Sequence, residues 1–91
     1  MYAIGWDPEK ARANFEKHGV RFSDAEVALF DPNAITVEDE TSEGERRYVS
    51  LGMDALGRIL IVVFSYREDD IRLISVRKAR RRERTSYEEG I

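Results

Sequence analysis

Arg58-Ile-Leu-Ile-Val-Val-Phe-Ser-Tyr66 is the stretch on which the fold turns. Ile59 to Phe64 is an unbroken apolar run, rich in β-branched residues. A run without polar alternation predicts a central strand covered on both faces. Met53–Gly57 before it and Arg67–Asp70 after it are hairpin-sized and carry turn residues. The neighbouring segments, Arg46–Leu51 and Ile71–Lys78, should therefore return antiparallel beside it, with Ala34–Glu38 as a further strand. Tyr2–Trp6 reads as a short strand or an extended lead-in.

A sheet covered on both faces needs helices. Asp7-Pro8-Glu9 opens one, since Asp7 can accept from orphan amides and proline suits the first helical position. It runs to about Lys17–His18 and stops at Gly19, suited to a left-handed cap. Ser23 and Glu26 have capping-box spacing, and Phe22 with Val27 has hydrophobic-staple spacing, which predicts a second helix over Asp24–Phe30. Asp31-Pro32 ends it. The last strand leads into a helix over Ala79–Glu89, whose apolar face is chiefly Ala79 and Tyr87. So thin a face predicts a helix that is loosely docked or covered by a partner. The class is α/β in the α+β sense: one domain over residues 1–91, a two-helix hairpin and an N-terminal strand on a mainly antiparallel sheet of four to five strands, and a C-terminal helix.

Composition narrows the chemistry. Ninety-one residues support one core. There is no cysteine, which excludes disulfides, thiolate metal sites and a cysteine nucleophile. No segment approaches the roughly 20 apolar residues of a membrane span, and the N-terminus lacks a signal-peptide pattern, so a cytoplasmic protein without membrane contact is expected. The net charge of −3 is uneven. Residues 1–45 carry four Lys/Arg against eleven Asp/Glu, and residues 46–91 carry eleven against seven. In Arg77–Arg84 (RKARRRER) six of eight residues are basic, a solvated helix face or a phosphate grip.

Several residues are candidates for chemistry. Lys10, Asn14 and Lys17 fall on one helical stripe, with His18 beside it. Such a stripe is usually solvated surface. His18 is the only histidine, and either complements the helix dipole or serves as acid or base. Glu45 and Arg47, two apart on a strand, project to one face as a surface pair or as half of a phosphate site. Arg72 and Arg77 have opposite parity on the fourth of the long strands, and either suits bidentate phosphate contact. The turn carboxylates (Asp39, Glu40, Glu43; Glu68, Asp69, Asp70) show no metal-ligand spacing, so no metal and no cofactor is expected.

Taken in order, these pieces resemble the BrnT toxin family from Ile4 to about Tyr87. The resemblance rests on Trp6-Asp7, Lys10, Asn14, Lys17-His18-Gly19-Val20, Phe22 and Phe30-Asp31. It continues through Glu45-x-Arg47, Gly52, Leu60–Val63 and Arg72-Leu-Ile-Ser-Val-Arg77-Lys-Ala79, with Glu83 and Tyr87. It implies a RelE-like fold and a toxin of a type II toxin–antitoxin system, an endoribonuclease that blocks translation and growth. It also implies a BrnA-like antitoxin, through which alone operator DNA is bound. Lys17, His18, Glu45, Arg47, Arg72 and Arg77 are then the expected catalytic group, Glu45 or His18 as base or acid and the cations on phosphate. Lys10, Asn14, Lys78, Arg81 and Arg82 are the expected RNA contacts. Relatives often carry His or Tyr where this chain has Phe64, and Ala where it has Val76. The rival reading is a non-catalytic protein- or nucleic-acid-binding domain on the same fold.

Overall fold

Ile4–Gly5 (β1), Pro8–His18 (α1), Phe22–Leu29 (α2), Ile35–Asp39 (β2), Arg47–Met53 (β3), Ile59–Arg67 (β4), Asp70–Lys78 (β5) and Arg81–Glu89 (α3) follow one another along the chain. The computed structural model describes residues 3–39 and 44–90. Tyr2 of the expected first strand, and Glu40 and Glu43 of the expected turn, lie outside them. The strands form one five-stranded sheet in the order β1-β5-β4-β3-β2. All neighbours are antiparallel except β1, which pairs parallel with β5.

The apolar run makes β4 central, and its alternate residues serve two cores. Leu60, Val62 and Phe64 face α1 and α2 and pack with Val20, Phe22, Ala25, Ala28, Ile71, Leu73 and Val76. Ile59 and Ile61 face the other way and pack with Ala79, Val49, Leu51 and Tyr87, so α3 covers one part of that second face. Phe64 is buried against Tyr48, ring centroids 5.6 Å apart, so its side chain points into the core. On the first face α2 lies directly on β3. A Cβ at Gly52 would stand 2.0 Å from the Ala28 carbonyl oxygen, so only glycine permits that approach.

The helix ends correct part of the sequence reading. Asp7 caps α1, accepting from the Glu9 amide at 2.9 Å, and Gly19 closes it at φ 70. The Ser23–Glu26 capping box does not form. The second helix begins at Phe22 with Arg21 as N-cap, so Ser23 already lies inside it. The staple fails as well, because Phe22 is drawn into the core while Val27 stays exposed. Tertiary burial of an aromatic outweighs a local cap worth about 1 kcal/mol.

Parity on β5 needs a larger correction. Val63 pairs with Ser75 but Phe64 with Leu73, which leaves Ile74 as an extra, bulged residue. A bulge shifts the alternation by one. Val76 therefore joins Ile71 and Leu73 in the core. Arg72 and Arg77, expected on opposite faces, project from the same one, roughly 15 Å apart along the strand.

Candidate functional site

On this second face α3 leaves one end of the sheet open. There Ser65 stands beside Arg72 in register, and Arg67 follows two residues on, hence on the same side. Arg47 begins β3, and Glu45 lies in the bend before it. Asp7 and Lys10, at the start of α1, close the rim. Together these side chains line a cleft of about 280 Å³, with Leu73 and Ile74 beside them. Four cations thus meet two carboxylates.

Arg67 Nε donates to Glu45 Oε1 at 3.4 Å, both side chains well exposed. The Glu45 carboxyl is held below the ordinary carboxylate range, first by the adjacent Ser65 hydroxyl, against the effect of burial, and then by Arg67 and Arg47. Glu45 is therefore ionised near neutrality and can accept a proton. The guanidinium groups remain charged and offer forked donors for phosphate oxygens.

The cleft unites Lys10, Glu45, Arg47 and Arg72 of the residues expected from sequence, and leaves out the others. Lys17 is exposed and His18 half-buried at the far end of α1, about 10 Å along the helix axis from Lys10. Asn14 is not on a polar surface stripe. It is 7% exposed, and its amide pairs with the free edge of β5 as a further strand would. Asn14 Nδ2 donates to the Val76 carbonyl at 2.8 Å and to the Val20 carbonyl at 3.2 Å, while the Val76 amide donates to Asn14 Oδ1 at 3.1 Å. The structure thus places Asn14 in the interior, holding α1 to the edge of β5, and not on the exposed stripe expected of it.

Arg77, too, has a partner. It donates from both guanidinium nitrogens to Glu83, each at 2.9 Å, and to the Lys78 carbonyl at 3.2 Å. Glu83 also accepts from the Arg80 amide at 2.7 Å, so one carboxylate anchors α3 to β5 and caps its start. Its pKa is lowered to about 2, chiefly by Arg77. At the other end Tyr87 donates to Asp31, which also accepts from the Met53 amide at 2.8 Å. The final helix is accordingly latched at both ends rather than loosely docked. Lys78, with Arg84, lines a separate cleft of about 300 Å³ beneath α3, and Arg81 and Arg82 are exposed on the helix.

Sequence reasoning missed Ser65, Arg67 and Asp7 as members of the site. Arg67 was read as turn, although its parity with Ser65 on the apolar strand was available. Asp7 was read only as a cap.

What the geometry defines is a small α+β domain with a cationic cleft on the exposed part of its sheet. Residues 6–83 match the family model described as the ribonuclease toxin BrnT of type II toxin–antitoxin systems. The chain belongs to that family. It is also similar to the crystal structure of the Brucella abortus ribonuclease toxin BrnT, with a TM-score of 0.71 and 26% identity over 89% of this chain and all of that one. No curated protein gives a significant match. No helix among the described residues is long and apolar enough to cross a membrane.

Proposed function

We propose that this chain is a metal-independent endoribonuclease toxin whose active site is the cleft formed by Lys10, Glu45, Arg47, Ser65, Arg67 and Arg72. The observation that carries the reading is the surplus of cations around one ionised carboxylate. Glu45 takes the proton of a ribose 2′-hydroxyl, and the resulting oxygen attacks the adjacent phosphorus. The bond to the 5′-oxygen breaks, leaving a 2′,3′-cyclic phosphate on one product. The guanidinium groups stabilise the doubly charged phosphorane. Among the cleft's cations only Lys10 carries a readily transferable proton, because guanidinium does not deprotonate. Lys10 is therefore assigned as acid to the leaving oxygen. Two carboxylates among four cations make a poor seat for a divalent ion, which supports cleavage without metal.

His18 and Lys17, far along α1, are assigned to flanking RNA rather than to proton transfer, and the exposed Lys78, Arg81 and Arg82 to more distant phosphates. A BrnA-like antitoxin would silence the protein from the side of α3. There Met53, Ile59, Ala79 and Tyr87 floor a cleft edged by Lys78 and Arg84, which suits an acidic segment with an apolar anchor. Operator DNA is then engaged through the antitoxin alone, and action in the cytoplasm follows from the substrate.

Incubating the purified protein with RNA, with and without a chelator, tests this directly. Cleavage should persist in chelator and give cyclic phosphate ends, and Glu45→Gln should slow it by roughly 10²-fold or more. Since Glu45 titrates below the ordinary carboxylate range, its acid limb should lie below about pH 4.3. Activity is lost as pH falls through that limb and present above it. Intact RNA, or cleavage abolished by the chelator, would overturn the reading.

A further inference from the structure

One buried hydroxyl in the cleft lacks a hydrogen-bond partner of ordinary geometry, although the Glu45 carboxylate stands beside it. Ser65 is fully buried on β4, yet its Oγ has no hydrogen-bond partner of ordinary geometry among the described residues. The contrast is Ser50 on the next strand, 1% exposed, whose Oγ accepts from Thr36 Oγ1 at 3.0 Å. Burying a hydroxyl without a partner is unfavourable, and an alanine at position 65 would pack without that cost. A polar atom kept in this state at the floor of a cationic cleft is placed for a ligand. Around it stand Arg67 on its own strand, Arg72 on β5, Glu45 and Arg47 at the start of β3, and Lys10 and Asp7 at the start of α1. A hydroxyl can donate to an anion as well as accept, and here the surrounding charge favours an anion.

We propose that the Ser65 hydroxyl is a direct ligand of the substrate phosphate, donating to a non-bridging oxygen while Arg47, Arg67, Arg72 and Lys10 supply the charge. This rests on the cleft being the RNA site, and it adds a neutral donor on the buried central strand of the sheet. A fixed donor beside mobile guanidinium groups sets where the phosphorus sits relative to Glu45. The expected mark of the residue is a hydroxyl that costs stability and contributes binding.

The experiment compares the wild type, Ser65→Ala and Ser65→Thr in binding a fully 2′-O-methylated RNA oligonucleotide, which cannot be cleaved, and inorganic phosphate. Ser65→Ala should weaken both by roughly 10-fold, the scale of one hydrogen bond to a charged group. Its Tm should stay equal to that of the wild type or rise. Ser65→Thr should bind within a few-fold of wild type. Unchanged affinities in Ser65→Ala would overturn the proposal, whether Tm falls, marking a packing role, or cleavage loses its acid limb at higher pH, marking support of Glu45 alone. A wild type that binds neither probe overturns it too. If the oligonucleotide is held through Ser65 but unmodified RNA is never cut, the ligand assignment stands and the ribonuclease reading falls. If RNA is cut equally by wild type and Ser65→Ala with equal affinities, the reverse holds.

Discussion

Arg72 and Arg77 lie on the same strand, point to the same side of the sheet and are both half-buried, yet their surroundings divide the molecule's second face in two. Arg77 meets Glu83 through two parallel hydrogen bonds and holds α3 over Ile59 and Ile61. Arg72 stands at the open end, in a cleft where cations outnumber carboxylates. One arginine has its charge matched within the protein and acts as a brace. The other has surplus positive charge about it among the described residues, which favours an anion. On this face an internal counter-charge among the described residues distinguishes the two arginines more sharply than residue type or burial does.

The strongest way to break this contrast is Arg72→Ala. Cleavage should fall by roughly 10²-fold, the scale of removing one preorganised donor to a charged transition state, with little change in Tm. Rates and melting curves on the same preparation decide it. A large drop in Tm with per-molecule activity intact would place Arg72 among the braces.

Asn14→Ala extends the contrast to a neutral group. Its amide bonds the Val76 amide and carbonyl at the free edge of β5 and the Val20 carbonyl, so truncation removes three buried hydrogen bonds to backbone groups. A loss of about 2 kcal/mol or more is expected in denaturant unfolding, with cleavage by the folded fraction unchanged. A stable variant with impaired RNA binding would return Asn14 to the surface role first expected of it.

Arg77→Ala should cost about 1–2 kcal/mol, because Glu83 is left half-buried and α3 loses its anchor, while folded protein keeps most of its activity. The pH dependence sharpens this. Glu83 has a depressed folded-state pKa of about 2, so its contribution is present above the unfolded carboxylate value near 4.3. It is lost as pH falls from there towards 2. The stability gap between wild type and Glu83→Gln should therefore narrow over that window. A gap constant from pH 6 to pH 2 would show that the ion pair contributes nothing.

The smallest effect concerns the exposed cations of α3. Arg81→Glu together with Arg82→Glu should loosen the antitoxin complex by several-fold at low salt and less at physiological ionic strength, where screening acts within about 8 Å. Affinity unchanged at both strengths would move the antitoxin to another surface.

Much of this site was legible before the fold was known. Glu45 and Arg47 share parity, and Lys10 and Arg72 stand in the motifs that carry the family resemblance. Asn14 stands in the same motifs but is buried against a sheet edge, so motif membership alone did not tell which side chains line the cleft. Arg77 teaches the same lesson, because its partner Glu83 was visible six residues away but the geometry joining them was not.

By itself the amino-acid order determined the central strand, its two hairpins, the capped first helix and hence the α+β class. These depend on apolar runs, turn residues and caps that act within a few positions. Only the tertiary structure decided which arginine meets Glu83 and which lines the cleft, because one bulged residue at Ile74 reverses parity along β5 and brings Arg72 and Arg77 to one face. It also decided where the second helix begins, since Phe22 gains more from burial in the shared core than Ser23 offers as a cap. Ser65 acquires its meaning in the same way. Its hydroxyl is unremarkable in sequence and becomes a candidate ligand only when packing buries it without a hydrogen bond of ordinary geometry among the described residues and surrounds it with charge.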